Sequence, residues 1–225
     1  MRKIRYNVIS FPGSNCDHDI HWISQLHGGI CEYVWHKDTV LKDPDIVVLP
    51  GGFSFGDRVR VGAIAKNSNV MRAVIEYAHK GGLVLGICNG FQILTEAGLL
   101  PGALRTNKEL MFICKHQQIK IENNNTPFTG LYDKAETVDI PVSHKNGNYF
   151  IDGDGLKRLQ DNGQIVFRYS EGTNPNGSVF DIAGIMNEKG NILGMMPHPE
   201  RSADKVLPSN CGERLFESIF RFLTQ

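Results

Sequence analysis

The sequence predicts an α/β fold: a three-layer sandwich with a mostly parallel central sheet and additional antiparallel strands. In the first half, short apolar runs rich in β-branched residues alternate with helical patterns, which is typical of a parallel sheet covered on both faces. In the second half, extended segments are separated by turn-forming pairs such as Asn-Gly, which favour antiparallel strands. The 225-residue chain contains no repeat, low-complexity tract or linker, so we expect a single domain over residues 1–225.

The predicted elements of the first half follow from their apolar patterns. Predicted strands are short runs of apolar residues, and predicted helices carry apolar residues three and four positions apart. Asp17 and Asp19 suit the positive end of the first helix. In chain order, we predict strands over residues 4–11, 31–36, 45–50 and 83–87, and helices over residues 17–28, 64–80 and 90–96.

The second half is predicted to consist mainly of strands. Turn signals lie between them at Asn146-Gly147, Asn162-Gly163, Asn176-Gly177 and Lys189-Gly190-Asn191. An amphipathic helix over residues 210–223 ends the chain. The predicted strands cover residues 118–123, 139–145, 165–170, 180–187 and 191–200.

Composition and charge exclude several classes of protein. The 24 basic and 24 acidic residues balance, which gives no overall attraction to nucleic acid or to an anionic membrane. No apolar run approaches the ~20 residues that span a bilayer, and the N-terminus lacks the apolar core of a signal peptide. The five cysteines are scattered and form no C-x-x-C pair, which disfavours a disulfide framework or a zinc site. We therefore expect a cytoplasmic protein that binds neither nucleic acid nor a membrane.

Cys88 is the first candidate catalytic residue. It lies in Gly86-Ile87-Cys88-Asn89-Gly90, between a predicted strand and a predicted helix. This is the spacing of a nucleophile elbow, with a thiol in place of the usual serine hydroxyl. Glycines suit positions two residues away because larger side chains would collide across the tight turn. The positive end of the following helix is expected to stabilise a thiolate. A small cysteine buried at a glycine-rich strand end remains the alternative interpretation.

His198 and Glu200 are the candidate partners of Cys88. A cysteine nucleophile usually needs a histidine base, and Pro199 keeps the backbone at His198 out of the helical region. In an extended chain, residues two apart face the same side, so Glu200 could orient the imidazole of His198. His144 is a rival base, but it has no acid two residues later. A solvated surface turn is the alternative interpretation of the His198 segment.

Backbone amides near Cys88 are candidates for stabilising an oxyanion. Asn89 follows the nucleophile directly, and its amide points into the site of such an elbow. The strand over residues 45–50 ends in Gly51-Gly52, where missing side chains let backbone amides approach a ligand. Gly52, or its neighbour Gly51, is the candidate for the second amide. An ordinary turn is the alternative, and the segment lacks the lysine of a phosphate-binding P-loop.

A metal site is also conceivable near the N-terminus, since Cys16, His18 and His21 are close in sequence. His18 and His21 are three positions apart and could share a helix face. No second ligand set has a recognisable spacing, so we expect no metal.

The ordered set of these motifs resembles the class I glutamine amidotransferases. The elbow Gly86-Ile87-Cys88-Asn89-Gly90-Phe91-Gln92 matches that family, as does the His198-Pro199-Glu200 segment. Four further stretches resemble one branch of it, the small glutaminase subunits of phosphoribosylformylglycinamidine synthase. These stretches are FPGSNCDHD (residues 11–19), PGGFSFGDRVRVGAIA (50–65), TNKELMFICKHQQIKIENNNTPFT (106–129) and PVSHKNGNYF (141–150).

The resemblance implies a flavodoxin-like fold and a glutaminase activity. Cys88 would attack the side-chain amide of L-glutamine and form a thioester, His198 would act as base and acid, and Glu200 would orient His198. Gln92 would contact the bound glutamine. The released ammonia would pass to a large synthetase subunit, with a small bridging subunit in the same complex. The resemblance also implies that this chain binds no cofactor, because ATP and Mg²⁺ belong to the synthetase partner.

One departure and three alternatives remain at this point. Lys145-Asn146 stand where this branch is expected to have a glycine and an acidic residue, which affects details near the glutamine or partner site. The chain could instead supply ammonia to another pathway, act as a thiol peptidase of related architecture, or use Cys88 as a redox sensor. Labelling by a glutamine analogue, and the need for His198, distinguish these alternatives.

Overall fold

The computed structural model describes residues 3–225, which form five helices and eleven strands. No helix in this part of the chain is both long and apolar enough to cross a bilayer. The helices are α1 (Asp17–Leu26), α2 (Asn69–His79), α3 (Asn89–Glu96), α4 (Gly153–Asp161) and α5 (Glu213–Thr224). The strands are β1 (Arg5–Ser10), β2 (Ile30–Trp35), β3 (Ile46–Leu49), β4 (Leu83–Ile87), β5 (Ala103–Arg105), β6 (Ile113–Ile121), β7 (Thr137–His144), β8 (Asn148–Phe150), β9 (Ile165–Tyr169), β10 (Ile182–Met186) and β11 (Ile192–Met195).

The central sheet has nine strands in the order β2-β1-β3-β4-β11-β10-β9-β6-β7. The first five run parallel to one another, and the remaining four pair in an antiparallel manner. This confirms the predicted α/β fold with a parallel region and added antiparallel strands. Because parallel crossovers are right-handed, the change of direction between β1–β2 and β3–β4 places α1 and α2 on opposite faces of the sheet.

The sequence placed most central elements correctly. All residues of β3 and β4 are buried, as expected for strands covered on both faces. The side chains at the centre of the core come from these strands and from their neighbours. Fully buried examples are Val8, Val48, Leu85, Leu193 and Phe91.

Several predicted features of the chain were wrong in position or kind. The strand predicted over residues 191–200 ends at Met195, and Asn146-Gly147 joins β7 to β8, which lie in different sheets and form no hairpin. The helix predicted from residue 64 begins at Asn69, because Ser68 is extended (φ −66°, ψ 150°) and only a short 3₁₀ turn, Ala65–Asn67, precedes it. Asn162-Gly163 ends α4 and does not form a hairpin; Gly163 has φ 62°. Lys189-Gly190-Asn191 does join the antiparallel pair β10–β11. The sequence analysis missed α4 and the small sheet of β5 and β8.

The strand register brings several loops together at one edge of the sheet. Gly86 of β4 pairs with Leu49 of β3 and with Gly194 of β11, so these strands end side by side. The segments that follow β1, β3, β4 and β11 contain four groups of predicted site residues: Cys16, Gly51-Gly52, Cys88 and His198. The carboxyl edge of a parallel sheet, near the reversal of strand order, is the usual place for a site.

Candidate active site

Cys88 lies on a strained turn between β4 and α3. Its backbone angles are φ 49° and ψ −102°, a region that residues with side chains rarely adopt. A methyl group at Gly86 would lie 2.9 Å from the carbonyl oxygen of Gly90, and one at Gly90 would lie 1.9 Å from the Leu49 carbonyl oxygen. Both glycines are therefore required by close packing around the turn. This confirms the elbow geometry that the spacing predicted.

The neighbouring strands fix the position of Cys88. Its amide donates to the carbonyl of Met195 at 2.7 Å, which ties the elbow to the end of β11. The thiol lies 3.7 Å from the carbonyl oxygen of Ser143, at the end of β7. The thiol is buried with the elbow, since only 5% of Cys88 is exposed.

His198 and Glu200 form a fully buried pair beside the elbow. His198 Nδ1 lies 2.6 Å from Glu200 Oε1, and the amide of His198 donates to the carbonyl of Pro141 at 2.8 Å. The sequence therefore predicted the pair, but for the wrong geometric reason. Residues Pro199–Ser202 form a 3₁₀ turn rather than an extended strand, and this turn brings the carboxylate back to the ring.

The charge of His198 is set by competing influences. Burial lowers the pKa of His198, but the carboxylate of Glu200 and the nearby Cys88 outweigh it, and the net pKa lies well above the usual range. The Nε2 atom of His198 is buried and has no hydrogen-bond partner among residues 3–225. The unpaired Nε2 is therefore available to Cys88 or to a substrate.

The two predicted oxyanion amides have no acceptor within the described chain. Asn89 begins α3, where first-turn amides lack helical partners. Gly52 has φ 145°, and a methyl group there would lie 2.7 Å from the carbonyl oxygen of Gly13. The hydrogen bond from Phe53 N to Gly13 O, 2.8 Å, holds this loop in place. Their role as oxyanion donors stays a prediction, and this geometry is compatible with it.

Gln92 is held inside the site by two hydrogen bonds. Its Oε1 accepts from Asn89 Nδ2 at 2.8 Å, and its Nε2 donates to the carbonyl of Asn146 at 2.7 Å. Asn89 Oδ1 in turn accepts from the amide of Ser54 at 3.2 Å. Gln92 therefore links the elbow to the loops after β3 and β7. The predicted contact between Gln92 and glutamine stays untested, and it would use atoms that these bonds now occupy. The departure at Lys145-Asn146 falls on this turn.

His144 is a buried structural histidine. Its Nδ1 pairs with Asn107 Oδ1 at 3.2 Å, and Asn176 Nδ2 lies 3.5 Å from its Nε2. Burial, aided by the charge of His198, lowers the pKa of His144 from 6.5 to about 4. His144 is therefore neutral near pH 7 and held by side-chain amides. This environment favours His198 over His144 as the base.

We expect His144 to make the protein less stable in mild acid. Because its pKa is lower in the folded than in the unfolded chain, folding stability falls as pH decreases from about 6.5 to about 4. The loss amounts to about 3 kcal/mol at most. In urea unfolding at pH 7 and pH 4.5, His144→Gln should lose less stability between the two pH values than the wild type. Equal losses in the two proteins would contradict this assignment.

The sequence cluster of Cys16, His18 and His21 separates in the structure. His18 Nδ1 lies 3.2 Å from the hydroxyl of Tyr33, and the ring of His21 stacks on Tyr33 at 5.4 Å. Cys16 instead lies beside the His198–Glu200 pair, with its sulfur 3.9 Å from His198 Nδ1.

Cys16, His198 and Glu200 bring donor atoms within 4.8 Å of one another. Arg201 Nη2 donates to the same sulfur at 3.1 Å, and its positive charge opposes a cation there. The positive charge of Arg201 therefore disfavours binding of a metal ion by these three residues.

Several residues of the site were missed by the sequence analysis. Asn107 is completely buried and donates to the carbonyls of Met111 and His144 at 2.8 and 3.0 Å. Asn176 is also completely buried, and it donates to Gly147 O at 2.8 Å. These asparagines shape the turn after β7. The sequence analysis named Asn107 only within the family-like stretch 106–129 and Asn176 only as part of a turn signal, so their role beside His144 is identified by long-range contacts.

Comparisons with known proteins agree with this geometry. Residues 3–218 match the family model described as the CobB/CobQ-like glutamine amidotransferase domain. The chain belongs to this family of glutamine amidotransferases. A chain in the structure of PurLQS from Thermotoga maritima is similar to the amidotransferase, with 41% identity and a TM-score of 0.90. That alignment covers 99% of this chain and 100% of the other.

A second solved structure shares the fold of the amidotransferase. It is a glutamine amidotransferase from Thermotoga maritima with 17% identity and a TM-score of 0.61. The alignment covers 100% of this chain and 85% of the other. At this identity the likeness concerns the fold alone.

Proposed function

We propose that this amidotransferase is the glutaminase subunit of a phosphoribosylformylglycinamidine synthase in purine biosynthesis. It hydrolyses L-glutamine and delivers ammonia to a synthetase subunit, which converts formylglycinamide ribonucleotide to formylglycinamidine ribonucleotide with ATP. The observation that carries the proposal is the buried His198–Glu200 pair beside Cys88 on a strained elbow. The 41% identity over nearly the whole chain to a PurLQS chain supports this pathway.

The geometry supports a two-step thiol mechanism. His198 takes the proton of the Cys88 thiol, and the resulting thiolate attacks the side-chain carbonyl carbon of glutamine, while the amides of Gly52 and Asn89 stabilise the negative oxygen. His198 gives its proton to the departing nitrogen, so the carbon–nitrogen bond breaks and ammonia leaves. Water then attacks the γ-glutamyl thioester, His198 accepts a proton from that water, and glutamate is released. Glu200 orients the imidazole and stabilises its positive charge.

Exposed apolar residues near the site support the proposal that a large subunit binds there. Phe53 follows the oxyanion glycine, and its ring lies 6.5 Å from that of Phe112. We define the exposed apolar rim as these two rings with Leu110 and Met111, which directly precede Phe112; Val59, six residues after Phe53 in the chain, is exposed as well. Val59 and Leu110 have positive φ values of 68° and 59°, which are costly for such side chains. Exposed apolar patches of this kind mark protein–protein contacts. We assign the rim to the large synthetase subunit.

The remaining features of the proposal concern the complex and its surroundings. ATP and Mg²⁺ are assigned to the synthetase subunit, since the loop at Gly51 lacks a P-loop lysine and is committed to packing against Cys16 and His198. A small bridging subunit completes the assembly. The cytoplasm is the proposed location, because all five cysteines are free and a reducing compartment keeps thiols in that state.

Transfer of labelled nitrogen tests this function. The chain is mixed with the synthetase and bridging subunits, formylglycinamide ribonucleotide, ATP, Mg²⁺ and glutamine labelled with ¹⁵N in the side-chain amide. Mass spectrometry should find ¹⁵N in the formylglycinamidine product. Glutaminase activity without nitrogen transfer would assign the chain to another pathway, and absence of both would contradict the glutaminase assignment itself.

A charged substitution in the exposed apolar rim should weaken assembly. Met111→Glu places a carboxylate in a surface that the partner must dehydrate, so the dissociation constant of the complex should rise by about tenfold or more. Analytical ultracentrifugation measures this change. Val40→Glu, at an equally exposed apolar residue on the connection after the edge strand β2, is the matched control. Equal affinities for the two variants would remove the rim from the interface.

A further inference from the structure

A cationic side chain lies behind the catalytic pair. Arg201 belongs to the same 3₁₀ turn as Glu200. Its Nε donates to Asp19 Oδ2 at 3.2 Å, and its Nη2 donates to Cys16 Sγ at 3.1 Å. Cys16, which directly precedes α1, and Asp19 within it therefore hold the guanidinium beside the His198–Glu200 pair.

Glu200 has one oxygen that is not hydrogen-bonded. Its side chain is fully buried, Oε1 pairs with His198, and Oε2 has no hydrogen-bond partner among residues 3–225. Burying a carboxylate oxygen without a hydrogen-bond partner is costly unless a positive charge lies nearby. Protonated His198 supplies such a charge, but only while it keeps its proton.

The positive charge of His198 is absent during one step of the proposed catalytic cycle. In the proposed hydrolysis of the thioester, His198 must begin neutral so that it can accept a proton from water. A buried anionic Glu200 would then face a neutral imidazole. Arg201 interacts electrostatically with Glu200 and stays charged throughout the cycle.

The other groups around His198 do not provide a permanent positive charge. Burial lowers the pKa of His144, which is therefore neutral near pH 7, and burial raises the pKa of the Cys16 thiol, which is neutral as well. Asp19 is negative when ionised and pairs with Arg201. The titratable groups that interact with His198 are Glu200, Cys88, Cys16, His144 and Asp19.

We propose that Arg201, held by Cys16 and Asp19, is a positioning residue that compensates the buried charge of Glu200 and keeps its carboxylate aligned when His198 gives up its proton. This inference rests on the proposed glutaminase function. Removing a fixed positive charge makes proton loss from the catalytic pair less favourable, so the pKa of His198 should rise further. The neutral imidazole would then form only at higher pH.

Two variants separate the charge of Arg201 from its packing. Arg201→Met removes the positive charge. Arg201→Lys keeps the charge but lacks the planar guanidinium that donates to two partners. In the assembled complex, R201M should shift the acid limb of the kcat profile upward by about one pH unit. Below that limb kcat should fall about tenfold, with KM for glutamine changed less than about threefold. R201K should restore most of kcat. Arg214→Met removes an arginine paired with Glu136 and should leave the profile unchanged.

A titration without substrate makes the test independent of the proposed function. Histidine-labelled full-length chain is titrated by NMR, and the His198 signal is assigned from its absence in His198→Gln. A higher pKa of His198 in R201M than in the wild type and R201K supports the inference, even if glutaminase activity is absent. If R201M does not fold, Arg201→Gln carries the same test, since it keeps polar atoms but not the charge. Identical titrations in wild type and charge-free variant would overturn the inference.

Discussion

Cys88→Ala is expected to abolish glutamine-dependent synthesis by the assembled complex and to leave ammonia-dependent synthesis unchanged. The thiol is the proposed nucleophile, and no other described cysteine occupies an elbow, so glutamine turnover should fall by about 10⁴-fold or more. Added ammonia needs no glutaminase step. Product formation is measured with saturating glutamine and, separately, with an ammonium salt at alkaline pH.

The interpretation of this variant depends on an intact fold. Alanine has the same backbone constraints as cysteine at φ 49° and is smaller, so the elbow should persist. Cys114→Ala, at an exposed cysteine of β6, is the matched control and should retain both activities. Loss of both activities by a Cys88→Ala complex that still assembles would contradict the role of this chain as an ammonia donor.

The second large effect is expected at the catalytic pair. His198→Ala removes the group that both gives and accepts a proton, so kcat should fall by about 10³- to 10⁴-fold. Glu200→Gln keeps a hydrogen-bonding group of similar shape but removes the charge that raises the pKa of His198. The decrease in kcat of the Glu200→Gln variant should be smaller, about 10²-fold. Steady-state glutaminase assays of the complex measure both values.

An exposed histidine–carboxylate pair supplies the control. His116 Nδ1 lies 2.8 Å from Asp139 Oδ2 at the surface, so His116→Ala and Asp139→Asn repeat the chemical changes away from the site. These variants should retain nearly full activity. If Glu200→Gln loses as much activity as His198→Ala, Glu200 does more than orient and charge the imidazole. If Glu200→Gln has no effect, the proposed triad is wrong.

The sequence was most informative where chemistry and local structure coincide. The elbow at Cys88 could be predicted because strand, tight turn and helix are consecutive in the chain. Gly86 is required by contacts within that turn, whereas Gly90 is required by the carbonyl of Leu49 in the neighbouring strand β3. The pairing of His198 with Glu200 was also predicted, since the two residues are neighbours in sequence. The predicted reason failed because a proline after histidine excludes helix at that residue but does not exclude the 3₁₀ turn that follows.

Long-range contacts account for what the sequence could not provide. Asn107 and Asn176 come from different loops and meet around His144, so neither the family-like stretch at Asn107 nor the turn signal at Asn176 indicated that they share one site. Arg201 gains its position from Asp19 and Cys16, which lie more than 180 residues earlier in the chain. The small sheet of β5 and β8 was missed because its strands have three residues each, too few for a visible pattern.

The central claim is that Cys88 is the nucleophile of a glutamine site. The most direct measurement is mass-spectrometric mapping of the adduct that a diazoketone analogue of L-glutamine forms with the full chain, alone and in its complex. Iodoacetamide serves as the parallel probe of thiol reactivity. We predict a single analogue adduct on Cys88 that excess glutamine prevents. An iodoacetamide adduct on Cys88 without any analogue adduct, even in the complex, would show a reactive thiol that does not serve glutamine and would contradict the claim.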